Sequence, residues 1–114
     1  DIIKKNIEYE YLIQDNRGFD KSIVDEIVSL MVETVSIKRK DVSINGLKFP
    51  YEVVKGQLLK LDFGHIRYVL DCMKHNTTKI KNIKNYLLTA LYNAPNTIDS
   101  YYRAEVNHDM NGGL

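Results

Sequence analysis

The stretch NIKNYLLTALYNAPNTIDSYYRAEV, residues 82–106, decides the fold of this chain. Its first half repeats apolar residues at the spacing of one helix face. Within one arc of a helical wheel lie Ile80, Ile83, Leu87, Ala90, Leu91 and Ala94, whereas Asn85, Thr89, Tyr92 and Asn93 lie opposite. The pattern predicts an amphipathic helix with one face in the core and a second face in water.

Pro95 interrupts this stretch. Proline has no backbone N–H and disfavours the helical conformation of the residue before it, so the helix is predicted to end near Ala94. Thr97 is predicted to cap a last helix, which carries an apolar stripe of Ile98, Tyr102 and Val106. The sequence therefore predicts two helices that meet at a fixed angle.

Four further helices are predicted upstream of this stretch. Residues 2–13 place Ile3, Ile7 and Tyr11 four apart on one helix face. Asp20 caps a second helix with a wide stripe, which consists of Ile23, Val24, Ile27, Val28, Leu30, Met31 and Val35. A third helix follows Pro50 over residues 51–59, and a fourth, capped by Asp62, has the stripe Phe63, Ile66, Val69, Leu70 and Met73.

A β-hairpin is predicted between the second and third helices. In VSINGLKF, the β-branched Val42 and Ile44 precede Asn45-Gly46, the dipeptide most typical of a two-residue type I′ turn. Because an isolated two-stranded hairpin is barely stable, it is predicted to lie on the helices as a flap.

The fold class that follows is mainly α: a compact bundle of about five or six helices with a small β-hairpin between helices 2 and 3. Residues 1–110 are predicted to form a single helical domain and residues 111–114 a flexible tail. A chain of 114 residues, 44% of them hydrophobic and 27% charged, fits one globular domain.

The composition also indicates the cellular compartment of the chain. One cysteine, Cys72, excludes an internal disulfide and suits a reducing compartment, so a cytoplasmic location is predicted. No apolar run reaches the roughly 18 to 20 residues of a membrane span, and no signal peptide is recognisable. Because the chain begins at Asp1, it is expected to be part of a longer polypeptide.

No motif predicts catalysis, a metal or a cofactor. Cys72 and His75 would share a helix face, but a structural zinc site needs four ligands and no second pair is visible. His65 and His108 are interpreted as surface side chains. Neither a phosphate-binding glycine motif nor a nucleophile elbow occurs. The chain is therefore predicted not to be an enzyme and to bind no cofactor.

Two features predict binding surfaces instead. Lys79, Lys81 and Lys84 gather positive charge at the start of the fifth helix, and a second basic cluster is formed by Lys38, Arg39 and Lys40. Such clusters can contact phosphates, although the formal net charge is only +1. Tyrosine and arginine are enriched at protein-binding hot spots, so the partner-binding candidates are Tyr92, Tyr101 and Arg103. In contrast, Tyr86 and Tyr102 are predicted to lie at the edge of the core.

Several stretches of the chain resemble the C-terminal domain of RepA-type plasmid replication initiators from Gram-positive bacteria, particularly staphylococcal plasmids, a domain similar to that of DnaD primosome proteins. They are IEYEYLIQDN, FDKSIVDEIVSLMVETV, KRKDVSING, VLDCMKHNTTKIKNIKNYLLTALYNAP and TIDSYYRAEVNHDM. The most specific part is NTTKIKNIKNYLLTALYNAPNTIDSYY. The DnaD-type pattern of tyrosine, aliphatic and tryptophan at four-residue steps is matched by Tyr86 and Ala90, and Ala94 stands where the tryptophan would be.

The resemblance implies a helical adaptor that recruits host replication machinery, with the primase as the favoured partner. The missing N-terminal domain would bind the origin DNA. Two other functions remain open from the residues alone: an auxiliary DNA-binding module that uses Lys79, Lys81 and Lys84, and a self-association domain. No membrane partner is expected.

Overall fold

Six helices and one β-hairpin make up the part of the chain that the computed structural model describes. The description covers the backbone of residues 2–14, 21–75 and 82–112, and the side chains of these ranges up to residue 98. In chain order the elements are α1 (Ile2–Asn6), α2 (Tyr9–Gln14), α3 (Lys21–Ser36), β1 (Asp41–Ile44), β2 (Leu47–Pro50), α4 (Tyr51–Leu59), α5 (Phe63–His75) and α6 (Ile83–Gly112). The predicted mainly α class with a hairpin is confirmed.

The buried side chains of these elements form one hydrophobic cluster. The wide stripe predicted for the second helix is confirmed in α3, which buries Val24, Ile27, Val28, Leu30 and Met31. Leu58 of α4, Ile66 of α5 and Leu87 of α6 are fully buried in the same cluster. Full burial of such a side chain stabilises the fold by about 1.5–3 kcal/mol, so the helices are held mainly by these contacts.

The hairpin has the predicted turn and the predicted flap position. β1 pairs antiparallel with β2, with Val42 opposite Phe49 and Ile44 opposite Leu47. Asn45 and Gly46 have φ of 53° and 81°, and two positive φ values define a type I′ turn. Val42 and Ile44 are buried, so β1 covers the core.

The same substitution at two glycines is expected to have opposite effects. Gly46→Ala should lower the free energy of unfolding by about 1–2 kcal/mol, because φ of 81° is unfavourable for a residue with a Cβ. Gly56→Ala should raise it by about 0.5–1 kcal/mol, because Gly56 lies inside α4 and alanine is the better helix former. No described heavy atom lies within 4 Å of either added Cβ, so steric contact does not obscure the comparison.

Urea denaturation of the two variants, followed by far-UV circular dichroism, measures this difference. Changes of the same sign would contradict the turn conformation described for Gly46.

The N-terminal helix differs from its prediction. Residues 2–13 form two helices rather than one, because Glu8 has φ of 55° and turns the chain between α1 and α2. The turn buries Ile7 and Tyr9 together, and the Asn6 side-chain Nδ2 donates to Leu59 O at 3.1 Å. Tyr11, predicted to share the apolar face, is 66% exposed. Contacts with α3 and α4 therefore override the simple four-residue repeat.

Asp62 caps α5 as predicted. Its Oδ1 accepts from His65 N at 3.1 Å, and Asp62 N donates to His65 Nδ1 at 3.2 Å. This reciprocal pair is a capping box in which histidine replaces the usual glutamate or glutamine. His65, interpreted from the sequence as a surface side chain, is partly buried, with 19% of its side chain exposed.

The predicted break at Pro95 is also wrong. α6 begins after Asn82, whose Oδ1 accepts from Asn85 N at 3.0 Å, and continues through Pro95 to Gly112. Thr97 starts no new helix, since its Oγ1 donates backward to Asn93 O at 3.1 Å. A proline inside a helix removes one hydrogen bond and costs about 3 kcal/mol, so the continuity of α6 requires compensation.

Side-chain donors bond to carbonyls near Leu91 O, the acceptor that loses its backbone donor at Pro95, and core packing holds the same turn. Asn93 Nδ2 donates to Thr89 O at 2.9 Å, and Gln57 Nε2 from α4 donates to Tyr92 O at 3.1 Å. Leu91 and Ala94, on either side of the turn that proline perturbs, are both buried. The packing of α6 and a donor from another helix therefore hold the chain helical where the local sequence predicts an end.

The length of α6 sets the long dimension of the molecule. A helix of 30 residues is about 45 Å long, which exceeds the 32 Å and 27 Å extents of the fold but not the 52 Å extent. The predicted domain 1–110 and tail 111–114 stay predictions; residues 113 and 114 lie outside the described residues.

Candidate functional site

Two tyrosines of α6 lie at the edge of the core. Tyr86 is half-buried and packs against the cluster, as predicted. Tyr92, predicted to project outward, is also half-buried, and its ring centroid lies 4.9 Å from that of Phe49 in β2. Tyr92 therefore ties α6 to the hairpin and is less exposed than the sequence predicted. The side chain of Tyr102 lies outside the described residues.

The three partner-binding candidates lie along one helix. The side chains of Tyr101 and Arg103 are outside the described residues, but their backbone belongs to α6. Arg103 follows Tyr92 by about three turns, so positions 92 and 103 share a face, whereas position 101 follows Tyr92 by about two and a half turns. A continuous helix therefore puts position 101 on the opposite face. Their role in binding stays a prediction.

Only part of the predicted basic patch can be located. Lys79 and Lys81 lie outside the described residues. Lys84, in the first turn of α6, is exposed, and its Nζ donates to Glu33 Oε1 of α3 at 3.2 Å. The lysine is therefore paired with a carboxylate from another helix.

An open groove of about 340 Å³ lies beside this ion pair, between the end of α3, β1 and the start of α6. We call it the α3–α6 groove. The buried apolar side chains Leu30 and Val42, together with Leu88, contribute to its lining. Its polar lining includes Thr34, Ser43, Asn82 and Asn85, as well as the charged Glu33, Arg39 and Lys84.

Arg39 brings the second basic cluster to the same groove. Its Nη2 donates to Thr34 O at 3.3 Å and its Nε to Ile37 O at 3.1 Å, so the guanidinium group is held at the end of α3. Lys38 and Lys40, its neighbours in sequence, are exposed. The fold thus brings Arg39 from residues 38–40 and Lys84 from residues 79–84 to one surface, although 45 residues separate them in the chain.

A separate polar cluster connects α2 to α3. Tyr9 Oη donates to Asp25 Oδ1 at 2.5 Å, and Lys21 Nζ donates to Asp25 Oδ2 at 2.8 Å. These bonds, that from Lys21 above all, lower the pKa of Asp25, and the bond to Asp25 raises the pKa of Tyr9 and of Lys21. Each shift moves the pKa away from neutrality, whereas a general acid or base works best with a pKa near neutral. The cluster therefore joins helices rather than preparing a proton donor or acceptor.

Comparison with known proteins places the chain in a family. The model of DUF6017, a family of unknown function, matches residues 1–113. The chain belongs to the DUF6017 family. Neither a curated protein nor a solved structure matches it significantly.

The histidine, cysteine and acidic side chains of the described residues form no metal-binding group in this DUF6017 chain. Within residues 2–14, 21–75 and 82–98, no three His, Cys, Asp or Glu side chains are grouped so that they could hold a metal ion. Cys72 is half-buried, and His75 Nδ1 lies 2.8 Å from Asp71 O on the same helix. No helix in the described ranges combines the length and apolar character that crossing a membrane requires.

The α3–α6 groove is the feature of the DUF6017 chain that sequence reasoning missed. Both basic clusters were recognised, but no local pattern indicated that α3 and the start of α6 are neighbours. The opposite charges of Glu33 and Lys84, 51 residues apart in sequence, were the available signal, and a single charge pair at that separation is not specific.

Proposed function

We propose that this DUF6017 chain is the C-terminal recruiting domain of a plasmid replication initiator: a cytoplasmic, non-catalytic module that brings host primase to the plasmid origin. The resemblance to RepA-type initiators supports this function, and it is most specific over residues 76–102. α6 contains most of that segment.

The structural observation that best supports this proposal is the continuity of α6. Leu87, Leu91 and Ala94 anchor the first twelve residues of the helix in the core. The same helix then extends to Gly112, so the residues after Pro95 continue an anchored element. A backbone that is already helical before a partner binds lowers the entropic cost of association.

The face that includes Arg103 is the proposed contact. It continues from Tyr92, and arginine is one of the residue types that most often dominate protein interfaces. Lys84 is about five turns away along α6 and is not needed for this contact.

The isolated domain is expected to bind host primase in calorimetric titrations at tens of micromolar. Arg103→Ala should weaken binding by about tenfold or more, the loss typical of a hot-spot arginine. Tyr101→Ala tests the opposite face of α6. A loss in the arginine variant alone would place the contact on the face of Tyr92, whereas losses in both would show that the partner wraps around the helix.

Lys60→Ala is the matched control, because it also removes one exposed positive charge but lies after α4. Circular dichroism confirms that each variant is folded. If wild-type protein gives no heat at these concentrations, or if neither α6 variant weakens binding more than Lys60→Ala, the proposal fails.

A further inference from the structure

The α3–α6 groove has the charge distribution of a phosphate-binding surface. Arg39 and Lys84 place positive charge on its lining, and Lys38 and Lys40 lie next to Arg39 in sequence and are exposed. Among the described lining residues, the only carboxylate is Glu33, which is paired with Lys84. A surface of this kind attracts anions over a distance of about one Debye length, roughly 8–10 Å.

Neutral hydrogen-bond donors lie between these charges. Asn82 and Asn85 come from the start of α6, and Ser43 comes from β1. Amide and hydroxyl groups are frequent partners of phosphate and sugar oxygens in nucleic-acid complexes. The apolar side chain of Leu88, which is only partly buried, also lines the groove and can contact a sugar ring.

The ion pair between Lys84 and Glu33 is easily exchanged. The side chains are 58% and 51% exposed, and ion pairs in water at this degree of exposure contribute little to stability. A phosphate that enters the groove can replace the Glu33 carboxylate as the partner of Lys84. Glu33 then opposes binding through its charge, while in the free protein it holds the lysine at the edge of the groove.

We propose that the α3–α6 groove binds the sugar-phosphate backbone of a nucleic acid, with Lys84 changing its partner from Glu33 to a phosphate. Several cations spread over more than one element fit a chain of phosphates better than a single anion. Binding at this groove depends on the charge and spacing of the phosphates rather than on the base sequence. This activity is independent of the proposed recruitment of primase, because it uses the other end of α6.

Opposite effects of two charge substitutions test the proposal. Binding of fluorescent single-stranded and double-stranded oligonucleotides to the whole chain is measured by anisotropy at several salt concentrations. Lys84→Gln should weaken binding by about threefold to tenfold and reduce the slope of log K against log salt by about 0.7–0.9, the loss of one phosphate contact. Glu33→Gln should strengthen binding by a similar factor, because it frees Lys84 and removes the opposing charge.

Two variants with the same charge changes serve as controls. Glu26→Gln neutralises an exposed carboxylate about two turns earlier on α3, and Lys60→Gln neutralises an exposed lysine after α4. Both should change affinity by less than about twofold, since neither side chain lines the groove. If Lys60→Gln and Lys84→Gln weakened oligonucleotide binding equally, binding would depend on overall charge, and the proposal that the groove is the binding site would be wrong.

Three further outcomes would overturn the proposal. The first is an absence of binding to either oligonucleotide in low salt. The second is that inorganic phosphate at millimolar concentration competes as strongly as unlabelled oligonucleotide at the same concentration of phosphate groups. That result would indicate a site for a single anion. The third is that polyglutamate competes equally well with the same dependence on Lys84, which would indicate an acidic protein partner.

Discussion

Replacing Leu91 by alanine is expected to lower the free energy of unfolding by about 2–5 kcal/mol. Leu91 is 0% exposed, and it lies on α6 between the anchoring residues Leu87 and Ala94. The substitution removes buried methyl groups and leaves a cavity that neighbouring helices fill only in part. Because small domains are stable by only about 5–15 kcal/mol, this single change should remove a large fraction of the total.

Urea denaturation monitored by far-UV circular dichroism gives the measurement. Leu47→Ala is the matched control: it makes the same chemical change at a hairpin position that is 63% exposed, where the effect should stay within about 0.5 kcal/mol. If the Leu91 variant loses less than about 1 kcal/mol, α6 is not anchored in the core as described, and the proposed function loses its main support.

Replacing Pro95 by alanine is expected to raise the free energy of unfolding by about 1–2 kcal/mol. Alanine restores the backbone N–H that can donate to Leu91 O, and it removes the ring that crowds this carbonyl, a benefit of about 3 kcal/mol in an ordinary helix interior. The gain is smaller here because the alanine variant has a more flexible unfolded state, which offsets up to about 1 kcal/mol. A decrease in stability would mean that the core requires the backbone geometry imposed by proline.

A second substitution tests why α6 continues through the proline. Gln57→Ala removes the donor to Tyr92 O and should cost about 1 kcal/mol in the wild type. In the Pro95→Ala background the cost should fall by at least about 0.5 kcal/mol, because a helix without the proline distortion lets Asn96 N–H donate to Tyr92 O. Additive effects in this double-mutant cycle would show that Gln57 does not compensate for the proline.

The elements that the sequence predicted correctly are those whose local and tertiary preferences agree. In the hairpin, Asn45-Gly46 requires little beyond its own backbone preferences, and Val42 and Ile44 alternate as a strand with one buried face requires. α3 has so wide an apolar stripe that any globular packing would bury it. The cap at Asp62 is likewise local, since both of its partners lie within three residues.

The two errors in helix boundaries have the opposite cause. At Glu8 a four-residue repeat favoured one helix, but burial of Ile7 and the bond from Asn6 to α4 favour a turn. At Pro95 the local rule favoured an end, but burial of Leu91 and Ala94 and the bond from Gln57, 38 residues earlier in the chain, to Tyr92 O favour continuation. A local sequence pattern indicates the helix propensity of its own residues. It does not indicate where the side chain of a distant residue will lie.

The candidate sites were predictable to a similar extent. Residue types and charges identified both basic clusters, and residues 76–102, most of which lie in α6, were named as the part most specific to the resemblance. The neighbourhood of Arg39 and Lys84 depends on how α3 packs against α6, which single-sequence periodicity does not determine. The predicted orientation of Tyr92 failed for the same reason, since Phe49 in the hairpin covers its ring.

Because α6 is uninterrupted, a tilt of the helix would move both of its ends together. Lys84 lies near one end of α6 and Arg103 toward the other, about 28 Å apart along the helix axis. The buried residues Leu87, Leu91 and Ala94 lie between them. A tilt of about 5° around Ala94 would displace the backbone at residue 103 by about 1 Å, given a lever arm of about 14 Å. The hydrogen bonds that Gln57 and Asn93 make near Pro95 would resist such a tilt.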